Sequence, residues 1–339
     1  PVDSAPYYMP QIPRVEVDRK KAAAEGIRKL ESRRLTLYTD MPPEPAIDQL
    51  PMVFDQAFPQ YCEYFGIDPN EHPAWRMTGF LMKDKDRFVR AGLLPDSLPD
   101  FPHGYARNDE LWLYDQPSDY YRRHLLIHEG VHGFMNTMLG ACGTPWYMEG
   151  TAELLGTHRW HDGKLTLNHM PADRDETPHW GRIRIVKEAF DKGRALTLDK
   201  VIAYQPSAYL ENDAYAWSWA AAALLDHHPK YRDRFRAMSK DVLKPDFNDI
   251  FYRAIGDDRP QLSEDWQVFV NGIEYGTEIA RAAIQRKPGQ PLPSDGATVT
   301  IQADRGWQSS GLLLEAGKSY RLTASGRYQV ADNPEPWWC

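Results

Sequence analysis

Residues 123–135 read RHLLIHEGVHGFM, and within them His128, Glu129 and His132 form an H-E-x-x-H. The flanking residues Leu125, Leu126, Ile127, Val131, Phe134 and Met135 are apolar, as expected of a helix buried through a domain core. Residues four apart share one helix face, so His128 and His132 can turn two imidazole nitrogens toward a single point. Zinc asks for such a point, taking nitrogen and oxygen ligands in a tetrahedron and keeping one position open for catalysis. Glu129, one residue on, reaches a water at that open position but does not complete the same ligand face. In a chain of this composition the bare pattern arises by chance roughly 0.02 times, so its surroundings have to carry the reading.

The surroundings do so at residues 144–153, TPWYMEGTAE. Thr144 is a good N-cap and Pro145 suits the first helical position, so a helix is predicted from there to a stop near Gly156. Glu149 falls in its first turns, with sixteen residues between it and His132. That interval lets one helix end, a short loop turn at Gly140 and Gly143, and a second helix bring a carboxylate back. His128, His132 and Glu149 then make a two-His-one-Glu set, one of the catalytic zinc ligand sets.

H-E-x-x-H followed by W-x-x-E-G-x-A-E resembles the gluzincin metallopeptidases, in particular bacterial peptidase MA-like domains and, more distantly, the M1 aminopeptidases. The resemblance implies an α+β, thermolysin-like catalytic domain, with a small sheet before the H-E-x-x-H helix and a mostly helical half after it. It implies Zn2+ as cofactor and a peptide or protein as substrate, its bonds hydrolysed by metal-activated water. Carried over residue by residue, it makes His128, His132 and Glu149 the metal ligands and Glu129 the general base. Glu153, four residues after the third ligand, matches the carboxylate that supports a zinc histidine from behind. Residues 213–225, DAYAWSWAAAALL, resemble the family helix from which a tyrosine faces the zinc. Tyr215 is therefore the expected oxyanion donor, with Tyr209 and His179 as alternates. Residues 105–114 are the expected edge strand along which a substrate backbone would pair. The aminopeptidase signature G-x-M-E-N is absent, so exopeptidase action is not implied.

The other histidines lack this context. His124 lies one turn before His128 without a following glutamate and reads as a neighbour of the site or a helix-surface residue. His158 and His161 flank the predicted hairpin 158–167, turned at Asp162 and Gly163, and read as ordinary loop histidines. His227 and His228 stand at a helix end, where they complement the dipole.

Composition bounds the alternatives. The 339 residues are 42% hydrophobic and 26% charged, with no apolar run of about 18 residues to span a bilayer. A net charge of −8 argues against nucleic-acid or anionic-membrane partners. Cys62, Cys142 and Cys339 are widely spaced and odd in number, giving no metal knuckle and at most one internal disulfide. The chain opens at Pro1 without a methionine, so a cleaved signal peptide and a secreted or periplasmic, cell-envelope location are expected.

Taken in order, residues 1–34 read as a proline-rich extended lead-in followed by a charged helix over 18–32. Residues 35–285 form the metallopeptidase-like domain: strands over 34–39 and 75–82, an amphipathic helix over 46–65, a short helix over 84–91, and the two ligand helices. Further helices follow over 180–192, 213–225, 231–238, 247–255 and 263–284. Residues 286–296 have linker composition. In 297–339 the period changes to two, predicting strands over 298–302, 311–315 and 320–324. That segment resembles the opening of lectin-like β-sandwich modules and is read as a truncated accessory module, with a glycan contact as its expected partner. A rival reading follows from it: a non-catalytic, zinc-bearing binding or scaffold protein that attaches to a glycan or surface through these strands. Glu129 argues against that reading, because a purely structural zinc site has no use for the carboxylate.

Overall fold

The computed structural model describes residues 13–331 and 334–339. The extended lead-in expected over residues 1–13 lies, but for its last residue, outside them. The chain divides into two compact units, the first ending at Thr277 and the second running over Glu278–Cys339. Helices and a small mixed sheet make up the first unit. Among the described residues no helix is long and apolar enough to cross a membrane.

The sheet has five strands: β1 (Arg28–Glu31), β2 (Leu35–Thr39), β3 (Met77–Met82), β4 (Gly104–Arg107) and β5 (Glu110–Tyr114), in the order β1-β2-β3-β5-β4. β2, β3 and β5 run parallel, while β1 and β4 pair antiparallel at the two edges. The central strands are apolar on both faces because both faces are covered. Leu35, Leu37, Met77, Leu81, Leu111 and Leu113 share one core with Phe54, Leu125 and Leu126. Tyr38, Phe80, Met82 and Trp112 point the other way, into a core with Phe88 and Leu93. The helix Asp119–Phe134 thus presses its Leu125–Leu126 face on the sheet, which fixes where its histidines stand.

Beyond it, Pro145–Gly156 packs between that helix and Asn212–His227. A Cβ on Gly150 would meet the Ser218 carbonyl oxygen at 2.7 Å, a measure of how closely the last two helices approach. Trp180 and Trp219 meet edge to face at 4.7 Å to seal Arg182–Asp191 against the same helix.

Several expectations are corrected. The helix predicted over 18–32 is only Arg19–Ala24; Gly26, at φ 74°, ends it and the chain enters β1. β1 is a half-exposed edge strand whose Arg28, Lys29 and Glu31 look as helical as the charges before them. The helix over 46–65 is two, Pro45–Asp48 and Leu50–Phe65, each opened by its own proline. The helix over 263–284 stops at Gly272, and only the turn Ile279–Ala282 follows. Of residues 105–114, Tyr105–Ala106 and Arg107 belong to the edge strand, but β5 lies inside the sheet between β3 and β4.

In the second unit the strands predicted over 298–302 and 320–324 do not form, since both stretches are exposed and have no face to bury. Gln290–Pro291 pairs parallel with Leu312–Leu313, and Gln329–Ala331 antiparallel with Trp337–Trp338. Part of the stretch with linker composition therefore carries backbone pairing.

Candidate metal centre

The helix Asp119–Phe134 opens on Ser118, whose hydroxyl accepts from the Tyr121 amide at 3.1 Å, with Asp119 in the first turn. Because the helix is packed nearly all round, His124, His128, Glu129 and His132 are all buried. Its end widens into a π turn, Met135–Leu139, and Gly140 at φ 86° releases the chain into the loop toward the next helix. Pro145 begins that helix as expected. Thr144 precedes it without capping it; its hydroxyl bonds Asn248 Oδ1 at 2.9 Å instead.

The two helices bring three ligand atoms together. His128 Nε2 lies 3.1 Å from His132 Nε2 and 3.1 Å from Glu149 Oε2, and His132 Nε2 lies 3.4 Å from the same oxygen. Ligands held about 2.0–2.1 Å from a tetrahedral ion stand about 3.3–3.4 Å apart, so the triangle fits one face of such a coordination sphere. Glu149 Oε2 is buried and has no hydrogen-bond partner, although both rings lie within reach. A buried carboxylate oxygen and two ring nitrogens converging on one point are costly unless something positive sits there. These groups could hold a metal ion.

His124, His128 and Glu153 form a second set with metal-ligand spacing. Here Glu153 is already neutralised: Arg182 Nε and Nη2 donate to its two oxygens, each at 2.9 Å. Its Oε1 also lies 3.4 Å from His124 Nε2 and 3.4 Å from His128 Nδ1. Glu153 therefore stands at the Nδ1 side of the His128 ring, and the carboxylate oxygen left without a hydrogen bond is that of Glu149.

Electrostatics follow from this layout. Burial disfavours the charged His128 ring, but the carboxylates of Glu149 and Glu153 close to its two ring nitrogens outweigh it and hold its pKa well above the ordinary histidine value. Burial likewise opposes ionisation of Glu149, yet the His132 and His128 charges bring its carboxyl down to about 2. Glu129 is different. Burial raises its pKa above the ordinary carboxylate value, offset in part by His128 and His132.

A cleft of about 390 Å³ runs past this centre. The His128, Glu129, His132 and Glu149 side chains line it together with β4 residues Gly104, Tyr105 and Ala106, the loop 99–102, and Tyr215. A Cβ at Gly104 would stand 2.7 Å from Glu129 Oε1, so only bare backbone leaves the carboxylate its room. The Tyr215 ring is 6.1 Å from that of His128, and burial, then Glu149 and Glu129, push its phenol pKa up, which keeps the proton on it. Of the alternates, Tyr209 lines the cleft with its hydroxyl 2.6 Å from Ser218 Oγ. His179 is a correction: it is exposed, in a left-handed turn at φ 68°, and does not line the cleft.

The remaining histidines are elsewhere engaged. His158 is buried, its Nδ1 2.8 Å from the Gly156 carbonyl and its ring stacked on Tyr120. His227 Nε2 lies 2.8 Å from Asn168 Oδ1, and His161 is exposed. All three cysteines are free. Arg182 and Gly104 escaped the sequence reading. A signal for Arg182 was present: it shares the buried face of its helix with Val186 and Ala189, and an arginine there demands a buried acid.

No protein-family model matches the chain, and no curated protein matches it.

Proposed function

We propose that the first unit is a gluzincin-type, zinc-dependent peptidase that hydrolyses peptide bonds in a peptide or protein substrate. The observation that carries this is the triangle of His128 Nε2, His132 Nε2 and Glu149 Oε2 beside a buried Glu129 in an open cleft. Two imidazoles and one carboxylate are a hydrolytic zinc set, with three protein ligands and a fourth position free. Bound there, zinc supplies a Lewis acid and lowers the pKa of water toward neutrality.

The chain's own groups do the rest. Glu129 accepts a proton from the attacking water and delivers it to the nitrogen of the leaving amine. Tyr215 keeps its proton and donates a hydrogen bond to the oxygen that gains charge. Glu153, 3.4 Å from His128 Nδ1, orients the ring so that Nε2 faces the metal. β4, an edge strand along the cleft, offers backbone to an extended substrate.

The test is Glu129→Gln. The variant is expected to hold one zinc per chain, by elemental analysis, and to lose about 10²–10⁴-fold in hydrolysis of fluorogenic peptides. Full activity in the zinc-loaded variant would remove the base assignment. A wild type that binds no zinc after reconstitution would remove the reading itself.

A further inference from the structure

Arg182 belongs to neither ligand helix, yet it is tied to the centre on two sides. It opens the helix Arg182–Asp191 and is buried along with Ile183, Val186 and Ala189 on that helix. A buried guanidinium is costly unless its donors are well paired. Arg182 meets that demand with a two-point clamp on Glu153, Nε to Oε2 and Nη2 to Oε1, both at 2.9 Å. The clamped Oε1 is the oxygen that faces His128 Nδ1 at 3.4 Å. On its other side, the guanidinium carbon lies 5.6 Å from the centre of the Tyr215 ring.

We propose that Arg182 is a positioning residue for the metal centre: its guanidinium locks Glu153 behind His128 and backs the ring of Tyr215. A carboxylate held at both oxygens by a planar fork cannot rotate, so the ring it faces keeps one tautomer and one angle. The same cation lies over the face of the Tyr215 ring, within the reach of a cation–π contact. One side chain thus couples the ligand His128 to the proposed oxyanion donor. The inference rests on the peptidase reading for Tyr215 and only on metal binding for His128.

Arg182→Met and Arg182→Lys, made in the full chain, test it by three readouts. These are zinc affinity by chelator competition, the visible absorption of the cobalt-substituted protein, and kcat against KM at saturating zinc. Arg182→Met is expected to weaken zinc about 10–100-fold, shift the cobalt bands, and lower kcat with little change in KM. Arg182→Lys keeps the charge but not the fork, so it is expected to regain part of the affinity and still show shifted bands. Zinc affinity and cobalt bands equal to wild type, with only thermal stability reduced, would overturn the proposal and leave Arg182 a brace of the fold. If Arg182→Met does not fold, unshifted bands in Arg182→Lys overturn it equally. A wild type that binds zinc but cleaves no peptide would sink the peptidase reading, while the affinity and cobalt readouts still decide the clamp on His128.

Discussion

His128 is the residue on which the centre turns, because both its ring nitrogens face carboxylates: Nε2 toward Glu149 and Nδ1 toward Glu153. Without metal these carboxylates outweigh burial and favour the imidazolium, whereas a metal ligand must be neutral. A metal ion and a proton would therefore compete for one ring. Zinc binding at pH 7 is expected to release about one proton, and affinity to fall as pH drops. Calorimetric titration in buffers of different ionisation enthalpy counts that proton; none released would mean that His128 is already neutral. The same shift sets metal-free stability. His128 has a raised folded pKa, so its contribution is full below the unfolded value near 6.5 and is lost as pH rises through the folded one. Glu149, depressed to about 2, runs the other way: its contribution is present above the unfolded value and is lost as pH falls toward 2. Much of the candidate site was legible in the sequence: helix periodicity puts His128 with His132 on one face, the helix start at Thr144 and Pro145 offers Glu149, and the family resemblance points to Glu153. Which acid pairs with Arg182 was not, since Glu153 lies 29 residues earlier and only the folded chain brings them together.

At the scale of elements, the centre depends on how closely the Glu149 helix and the Tyr215 helix approach. Gly150, next to Glu149, faces the backbone of Asn212–His227. An added Cβ would meet the Ser218 oxygen at 2.7 Å and the Ala222 Cβ at 3.3 Å. Gly150→Ala gains about 1 kcal/mol of helix propensity. It also drives a methyl into a carbonyl that cannot move without its helix, an overpacking cost of about 1–3 kcal/mol. The cost is expected to win, lowering the urea midpoint and weakening zinc, because Glu149 moves with its helix. A variant with unchanged midpoint and zinc affinity would show that the helices part freely. The helices Asp119–Phe134, Pro145–Gly156 and Asn212–His227 follow from local pattern, as does the hairpin His158–His161 with Lys164–Leu167, including Asp162 and Gly163 at positive φ in the turn. β1 does not, because an edge strand exposing Arg28, Lys29 and Glu31 carries no apolar alternation strong enough to separate it from a charged helix. The alternating residues 298–302 mislead for the converse reason: period two makes a strand only where a partner and a buried face exist.

At the scale of the whole molecule, the two units divide the functional expectations between them. Every residue lining the cleft, with Glu153 and Arg182 behind it, lies in the unit ending at Thr277. That unit also has its own cores on both faces of its sheet. The unit Glu278–Cys339 has short paired strands and exposes Trp307, Trp337 and Trp338. Exposed aromatic rings are suited to contact with a surface. A chain ending at Thr277 is therefore expected to bind one zinc and keep the full-length kcat/KM on small fluorogenic peptides. Any contact with glycans is expected to travel with the second unit. Elemental analysis and peptide kinetics on the shortened chain, with a glycan array probed by the full chain and the shortened one, separate the two roles. Loss of zinc or of kcat on removing the second unit would mean that it completes the cleft. Glycan binding that survives its removal would move the attachment surface to the first unit. Zinc and activity retained while glycan binding disappears would leave a self-sufficient metal centre, with the aromatic strands serving to bring it to its substrate.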